Sequence, residues 1–540
     1  MGTTGHTVSP ARRGRRLHLP EDVSAITSPT IRVDLRVAWL LTTARILGSD
    51  PEMARRDLFI SRLAERGTAL DAPRLSRVES GSSVVQPGVL AGYESVLGLT
   101  HGTLVATVGG LRRSFQTAEV ARARKPRDTA PDGDFDALLE AVAKGVTTGS
   151  QWLAASRALW YYDQVFLRQD DWNQLASALI RELATSGGID HVRRFEAAVD
   201  FLRHPSSQRH VSRALGNFVM DPDAQVVAPV LNLLGEVTDR PASDLVLRLL
   251  SSPSRSLRRA ATSVMATKVA RGHVDAEAMP ELERQLERQL ARGVDLDGGL
   301  DTLDLAVHLP RTSWEAVESR LRDPVATAMV TRARSTRELI ASRKAGALAS
   351  EVATAIQDAT PTHHPIETDM MLHRLVREAL VHTHKARRHH AALLLAASPY
   401  GPATADQVLT LTHHRDEFIA ARAWAMLMRL PCPTPPTGER ARTVGAMPDR
   451  HAARVMVNVG IHDRPLDRAT AAGIAARLPA QRRSEQHAAL FALGMHASPE
   501  LAQLSEHDHA DTRRGAAWWL LQDGATRDDD SVDQRGKRAS

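Results

Sequence analysis

Aromatic residues are scarce, at 4% of a 540-residue chain. A core made without them relies on Leu, Ala and Val, a vocabulary that suits close helix packing more than sheets, which favour β-branched and aromatic side chains. Cysteine is scarcer still. Cys432 is alone, which excludes an internal disulfide and any multi-cysteine zinc site and fits a reducing cytoplasm. No run of about 18 apolar residues occurs, so no membrane span is expected. The N-terminal MGTTGHTVSPARRGRRLHLP has arginines but no apolar segment of the kind a secretory signal needs. Also missing are a glycine-rich phosphate loop, a GxSxG elbow, an HExxH pair and the kinase motifs. The expectation is a protein that is not an enzyme, with no cofactor and no metal.

What is present is uneven charge. The chain carries +6 overall. Residues 1–127 hold 19 Lys and Arg against 11 Asp and Glu, a balance of +8, so the remaining 413 residues sum to −2. Cations that neutralise phosphates release counterions and supply most non-specific affinity for a polyanion, so a basic N-terminal segment suits contact with nucleic acid. A solvated basic surface would give the same count.

The same segment carries a pattern. Ile31 to Leu47 is apolar at helical spacing and ends at Gly48. Asp50 followed by Pro51 reads as a helix cap, with a helix expected from Pro51 to about Arg66. After a turn over Gly67 to Leu70, Asp71 caps a second helix bearing LSRVESG, closed by Gly81. YESVLGL and TLVATVGGL follow. This order resembles the lambda-repressor-like (Xre-type) helix-turn-helix domain. The resemblance implies a small five-helix unit whose recognition helix enters the major groove of double-stranded DNA, usually as a homodimer on a pseudo-palindrome. It also implies backbone phosphate contacts from Ser82, Ser83 and Gln86, just past the helix end. Arginine can bond guanine bidentately, and Ser or Ala can sit against a base edge or a thymine methyl. Ala72, Arg74, Ser76 and Arg77 are therefore the expected base or groove contacts, with Arg62 nearby. Arg74 and Arg77 have plainer alternatives: phosphate contact alone, or pairing with Glu79 or Asp71. A flexible arm bearing Arg12, Arg13, Arg15 and Arg16 could enter an adjacent minor groove.

The predicted organisation is all-α. Residues 1–30 are a disordered basic arm, 31–110 the helix-turn-helix unit, 111–134 a basic linker, 135–523 a large helical-repeat region and 524–540 a flexible tail. The repeat reading rests on recurrence. DHVRRFEAAVDFL, DAQVVAPVLNLLGEV and SRSLRRAATSVMATKV, then KARRHHAALLLAAS, RDEFIAARAWAMLM, DRHAARVMVNVG, RRSEQHAALFALG and DTRRGAAWWLL, mostly place polar or basic residues before an Ala-rich apolar helix. Starts about 30 residues apart match helix-pair solenoids, and the pattern resembles HEAT-like repeats. Such arrays hide their apolar stripes by stacking and leave long surfaces that hold proteins or nucleic acid.

Two further groups stand out. Histidines gather at His363, His364, His373, His382, His384, His389 and His390, with His413 and His414 later; without a three-ligand pattern they read as surface or hydrogen-bonded residues rather than a zinc site. Trp152, Trp160, Tyr161, Tyr162, Phe166 and Trp172 cluster at the start of the repeats, either as an interdomain core or as an aromatic pocket for an effector or partner. Trp518 and Trp519 are expected to close the last repeat. The reading is a DNA-binding transcriptional regulator, cytoplasmic and nucleoid-associated, with a repeat region for dimerisation or for a protein or small-molecule effector. Its competitors are a protein-interaction scaffold that does not bind DNA and a HEAT-repeat enzyme acting on DNA. For the latter, Trp160 with Asp163 or Asp170 with Trp172 would have to serve.

Overall fold

A computed structural model describes residues 17–116, 135–162, 164–292, 299–362, 364, 366–432, 449–462, 466–478 and 483–528. Among them the chain is all-α; two isolated bridges, Leu17 with Ile366 and Glu338 with His382, are the only β pairings. No helix of the described residues is long and apolar enough to cross a membrane. The arm arginines Arg12, Arg13, Arg15 and Arg16 lie outside the described residues, as do His363, Asp163, residues 117–134 of the expected linker and 529–540 of the expected tail.

Five helices open the structure: α1 (Val33–Leu47), α2 (Arg56–Glu65), α3 (Ala72–Glu79), α4 (Pro87–Leu97) and α5 (Thr103–Phe115). Helix α1 is buried on nearly every side. A helix apolar all round belongs inside a large core, and α1 lies between α3, α4 and α5 and the repeat helix Met370–Val381. The expected helix from Pro51 to Arg66 is instead two pieces. A single 3₁₀ turn, Pro51–Ala54, is capped by the Asp50 carboxylate, and α2 starts after Arg55. The guanidinium of Arg45 on α1 donates to the Ala54 carbonyl at 2.7 Å, removing an acceptor that a continuous helix would use. Glu94 fastens α4 to α5: its carboxylate accepts the backbone N–H groups of Gly102, Leu104 and Val105 at 2.6–3.0 Å, where a helix N-terminus favours negative charge.

From Phe135 onward the helices come in consecutive packed pairs, among them Gln169–Thr185 with Gly188–Arg203, Arg240–Leu249 with Arg255–Ala270, Ser342–Ala359 with Met370–Val381, Gly401–Leu411 with Glu417–Leu427, and Glu500–Leu504 with Ala510–Gln522. This is the stacked-pair logic of a helical-repeat array. One expected repeat helix is broken. DAQVVAPVLNLLGEV forms a single α turn, Ala228–Leu231, followed by a 3₁₀ turn, Asn232–Glu236. Trp519 is fully buried and sits so close over Gly494 that a Cβ there would meet its ring at 1.9 Å.

The apolar interior divides into two cores. One joins residues of α1–α5 with the helices from Ser342 to the C-terminal end; the other occupies residues 138–339 together with Ala106 of α5 and Leu393. Thus the N-terminal helices share a core with repeats that start at Ser342, far along the chain, instead of forming a separate domain beside them. The two halves also meet. Helix α5 lies against both Gly188–Arg203 and Lys385–Ala397, Trp518 stacks edge-on to Phe218 at 6.3 Å, and the Thr185 and Thr526 hydroxyls are 2.8 Å apart. The array therefore folds back on itself, and its inner helices face one another.

Three boundaries shift for one reason, which is burial against distant partners. The stretch expected to be disordered up to residue 30 is ordered from Leu17: Leu19 and Asp22 are buried. Residues 111–115 are the last turn of α5 and not linker. Arg112 and Arg113 there are largely buried; Arg113 bonds Glu196 and pairs with Glu236. Residues 524–528 are not tail, since the Asp528 carboxylate is buried against Arg194 at 2.7 Å.

Candidate nucleic-acid interface

Helix α3 is short, so its ends decide whether it holds its shape. At the start the Asp71 carboxylate accepts the backbone N–H of Arg74 at 2.7 Å, and Pro73 sits in the first turn. At the end Gly81 takes the left-handed conformation (φ +72°), and the Ser82 N–H returns to the Arg77 carbonyl at 2.9 Å, a paired closure of the last carbonyls. A Cβ on Gly81 would also come within 3.1 Å of the Asp34 carbonyl, so glycine serves both the turn and the approach to α1.

Inward, Leu75 and Val78 are buried. Glu79 is buried too, and two side chains hold it: Arg45 donates to both its oxygens at 2.6 and 2.8 Å, and the Tyr93 hydroxyl donates at 3.2 Å. Burial and the Glu79 carboxylate together push the Tyr93 phenol well above its ordinary range, so it stays a donor. This excludes Glu79 as the partner of Arg77. Outward, Ala72, Arg74, Ser76 and Arg77 are all exposed, and neither arginine side chain pairs with an acidic group among the described residues. Arg62 on α2 is exposed but pairs with Glu65 at 3.0 Å. Ser82 and Gln86 are exposed, Ser83 half-buried.

Between α3, α1, the 3₁₀ turn and residues 17–30, the N-terminal strap, lies a cleft of about 650 Å³, whose lining includes Ser76, Ser80, Arg56, His18 and Leu17. Arg56 was missed by sequence reasoning, because it was placed inside a longer helix; as the first residue of α2 it is exposed beside Ser76.

The unit is anchored to the repeats by buried charge. Arg36 on α1 donates to both oxygens of Glu378 at 2.7 and 2.8 Å and to Asp22 of the strap at 2.8 Å. Arg387 and Arg374 donate to the same Glu378 at 2.6 and 3.0 Å. Burial would raise Glu378, but Arg36 and Arg387 override it and hold its carboxyl well below the usual range. Trp39 donates its indole N–H to Asp369 at 2.9 Å.

The aromatic group is not brought together as one pocket. Trp152 and Trp172 are buried around Phe201, at 5.9 and 6.3 Å. Trp160, Tyr161 and Tyr162 are exposed, and Phe166 is 88% exposed. Of the pairs considered for an enzyme, Asp170 is exposed while Trp172 is core. The histidine run is less superficial than expected: His382 and His390 are buried and His373, His384 and His389 half-buried, whereas His364, His413 and His414 are exposed. No three His, Cys, Asp or Glu among the described residues gather as metal ligands would.

These features define an all-α helical-repeat protein whose five N-terminal helices are integral to the array. No protein-family model and no curated protein matches the sequence. Among solved structures, the chain is similar to a TOG-domain array from work on tubulin recruitment and assembly by microtubule polymerases, at 11% identity, over 76% of this chain and 99% of that one, with a TM-score of 0.20. A TM-score that low carries no argument about partner or activity.

Proposed function

We propose that the chain is a non-catalytic, sequence-specific DNA-binding regulator of the cytoplasm and nucleoid, in which α3 enters the major groove and the repeat array serves dimerisation or partner binding. One observation carries the reading. Arg74 and Arg77 project from a helix fixed at both ends and have no acidic partner among the described residues, while Arg36, Arg45 and Arg113 nearby are buried and paired. Unpaired guanidiniums on a rigid helix are suited to guanine edges and phosphates. Exposed Arg56 adds a position for backbone contact. Two copies on a pseudo-palindrome follow from this mode of reading.

The test is to select bound duplexes from genomic fragments with the full chain, then measure affinity across salt. Binding should fall steeply with added salt. Arg74→Ala and Arg77→Ala should each weaken the selected site by about 1–3 kcal/mol where they meet bases, whereas Arg56→Ala should weaken all sequences uniformly. Salt-insensitive binding, or an unchanged double variant, would reject the reading.

A second reading, a protein-interaction scaffold, is favoured by the exposed Trp160, Tyr161, Tyr162 and Phe166. Exposed aromatic patches mark protein contact surfaces. Tyr162→Ser with Phe166→Ser should abolish partner capture while leaving duplex affinity intact; loss of both would show that the patch is structural.

A further inference from the structure

Where the two halves of the array face each other, cations outnumber carboxylates. Arg259 on Arg255–Ala270, Lys385 and Arg388 on Lys385–Ala397, Arg422 on Glu417–Leu427 and Arg429 just beyond it surround Asp301 and Asp304 of Gly299–His308. Arg259 pairs with Asp301 at 3.0 Å, and the Lys385 ammonium stands 3.9 Å from the same carboxylate. Asp304 is already engaged by the Lys385 backbone N–H at 3.1 Å and by His308 at 3.2 Å. The other three cations hydrogen-bond only neutral groups, and Asp301, with Asp304 for Arg388, acts on them at longer range. Arg388 donates to the His382 carbonyl at 2.6 Å, Arg422 through Nε to the Leu380 carbonyl at 2.9 Å, and Arg429 through Nε to His389 at 2.9 Å. Both terminal nitrogens of Arg422, and Nε and one terminal nitrogen of Arg388, have no partner among the described residues. Yet Arg422 is 9% exposed and Arg388 7%.

A nearly buried guanidinium with no direct ion pair is costly. Nearby histidines do not supply the charge imbalance, since burial first, then His308 beside His384 and Arg429 beside His389, hold both well below their ordinary range. Burial and mutual repulsion also depress Arg429, to about 10. Access is graded: the Arg259 side chain is 54% exposed and Lys385 32%, so the cluster runs from an open rim to a deep floor.

We propose that this cluster is a binding site for a small phosphate-bearing anion, which approaches past Arg259 and is held by Lys385, Arg388 and Arg422. Guanidinium forks match phosphate oxygens in geometry as well as charge. The floor is too buried for a nucleic-acid duplex, which separates this site from α3. The proposal does not depend on the DNA reading.

The test uses the full chain with inorganic pyrophosphate as probe, against sodium chloride at matched ionic strength, read by calorimetry and thermal melting. Pyrophosphate should bind one per chain and raise the melting midpoint, and chloride should not. Arg422→Met should abolish binding without lowering the ligand-free midpoint, because it removes an unbalanced buried charge. Arg259→Gln, at the exposed rim, should weaken binding about tenfold or more and keeps the test decisive where Arg422→Met fails to fold. No saturable binding at millimolar pyrophosphate, an equal response to chloride, or binding that survives both variants and vanishes in Arg74→Ala with Arg77→Ala would overturn the site.

Discussion

Arginine meets two fates within the first helices. On α1, Arg36 and Arg45 are buried and each grips a carboxylate with two nitrogens. On α3, Arg74 and Arg77 are exposed and grip nothing among the described residues. The net +8 of residues 1–127 therefore overstates the charge offered to a polyanion, because part of it is spent internally on holding the unit in place. The lesson is that a basic balance locates a segment, whereas pairing decides which cations recognise and which fasten.

The most damaging way to break this comparison is to remove the carboxylate on which the fastening converges. Glu378→Ala leaves Arg36, Arg374 and Arg387 without their shared acceptor. Breaking a buried pair by removing one partner costs about 3–5 kcal/mol, so urea unfolding should shift by that amount. The exposed α3 arginines provide the control: Arg74→Ala should leave the unfolding midpoint unchanged. A small effect at Glu378 would mean that apolar packing, rather than the ion network, joins the N-terminal helices to the array.

Acid sharpens the comparison from the other side. Burial drives His191 down to about 4 and His390 to about 3. Unfolded histidine titrates near 6.5, so as pH falls from about 6.5 to 4 the unfolded chain takes up protons that the folded chain refuses. Stability is full above that window and drains through it, by on the order of 3 kcal/mol from His191 alone at pH 4. Urea midpoints from pH 7.5 to 4 should fall, and His191→Gln should flatten the curve. A flat curve in the parent chain would contradict the burial of these rings.

How far the sequence was legible follows from the range of each interaction. Local signals read correctly: the Asp71 cap, the Gly81 stop, the inward Leu75 and Val78, the Ala-rich repeat helices and the all-α class. Long-range ones did not. The strap at residues 17–30 looks unstructured because its hold comes from Asp22 meeting Arg36 on the next helix and Arg374 hundreds of positions away, and from Leu17 meeting the equally distant Ile366. Arg112 and Arg113 looked like linker because charge without apolar periodicity resembles a solvated loop, and Glu196 and Glu236 are invisible at that distance. The folding-back of the array left no local trace at all. Of the candidate interface, the outward face of α3 could be foreseen; Arg56 could not, because the capture of the Ala54 carbonyl by Arg45 is tertiary.

The smallest expected effect tests whether α3 must be preorganised. Asp71 accepts a single backbone N–H, is exposed, and touches neither the core nor the ion network. Replacing such a cap by alanine costs about 1 kcal/mol, and in an eight-residue helix this is borne mainly by the first turn, which carries Ala72 and Arg74. Asp71→Ala should therefore barely move global unfolding but should speed amide exchange in residues 72–76. Duplex affinity should drop by a comparable amount, because the helix must be re-formed on binding. An unchanged exchange rate would mean that the inward grip on Leu75, Val78 and Glu79 holds α3 without its cap. Faster exchange with unchanged affinity would mean that the first turn of α3 takes no part in binding, leaving Arg77 and the loop beyond Gly81 as the contact.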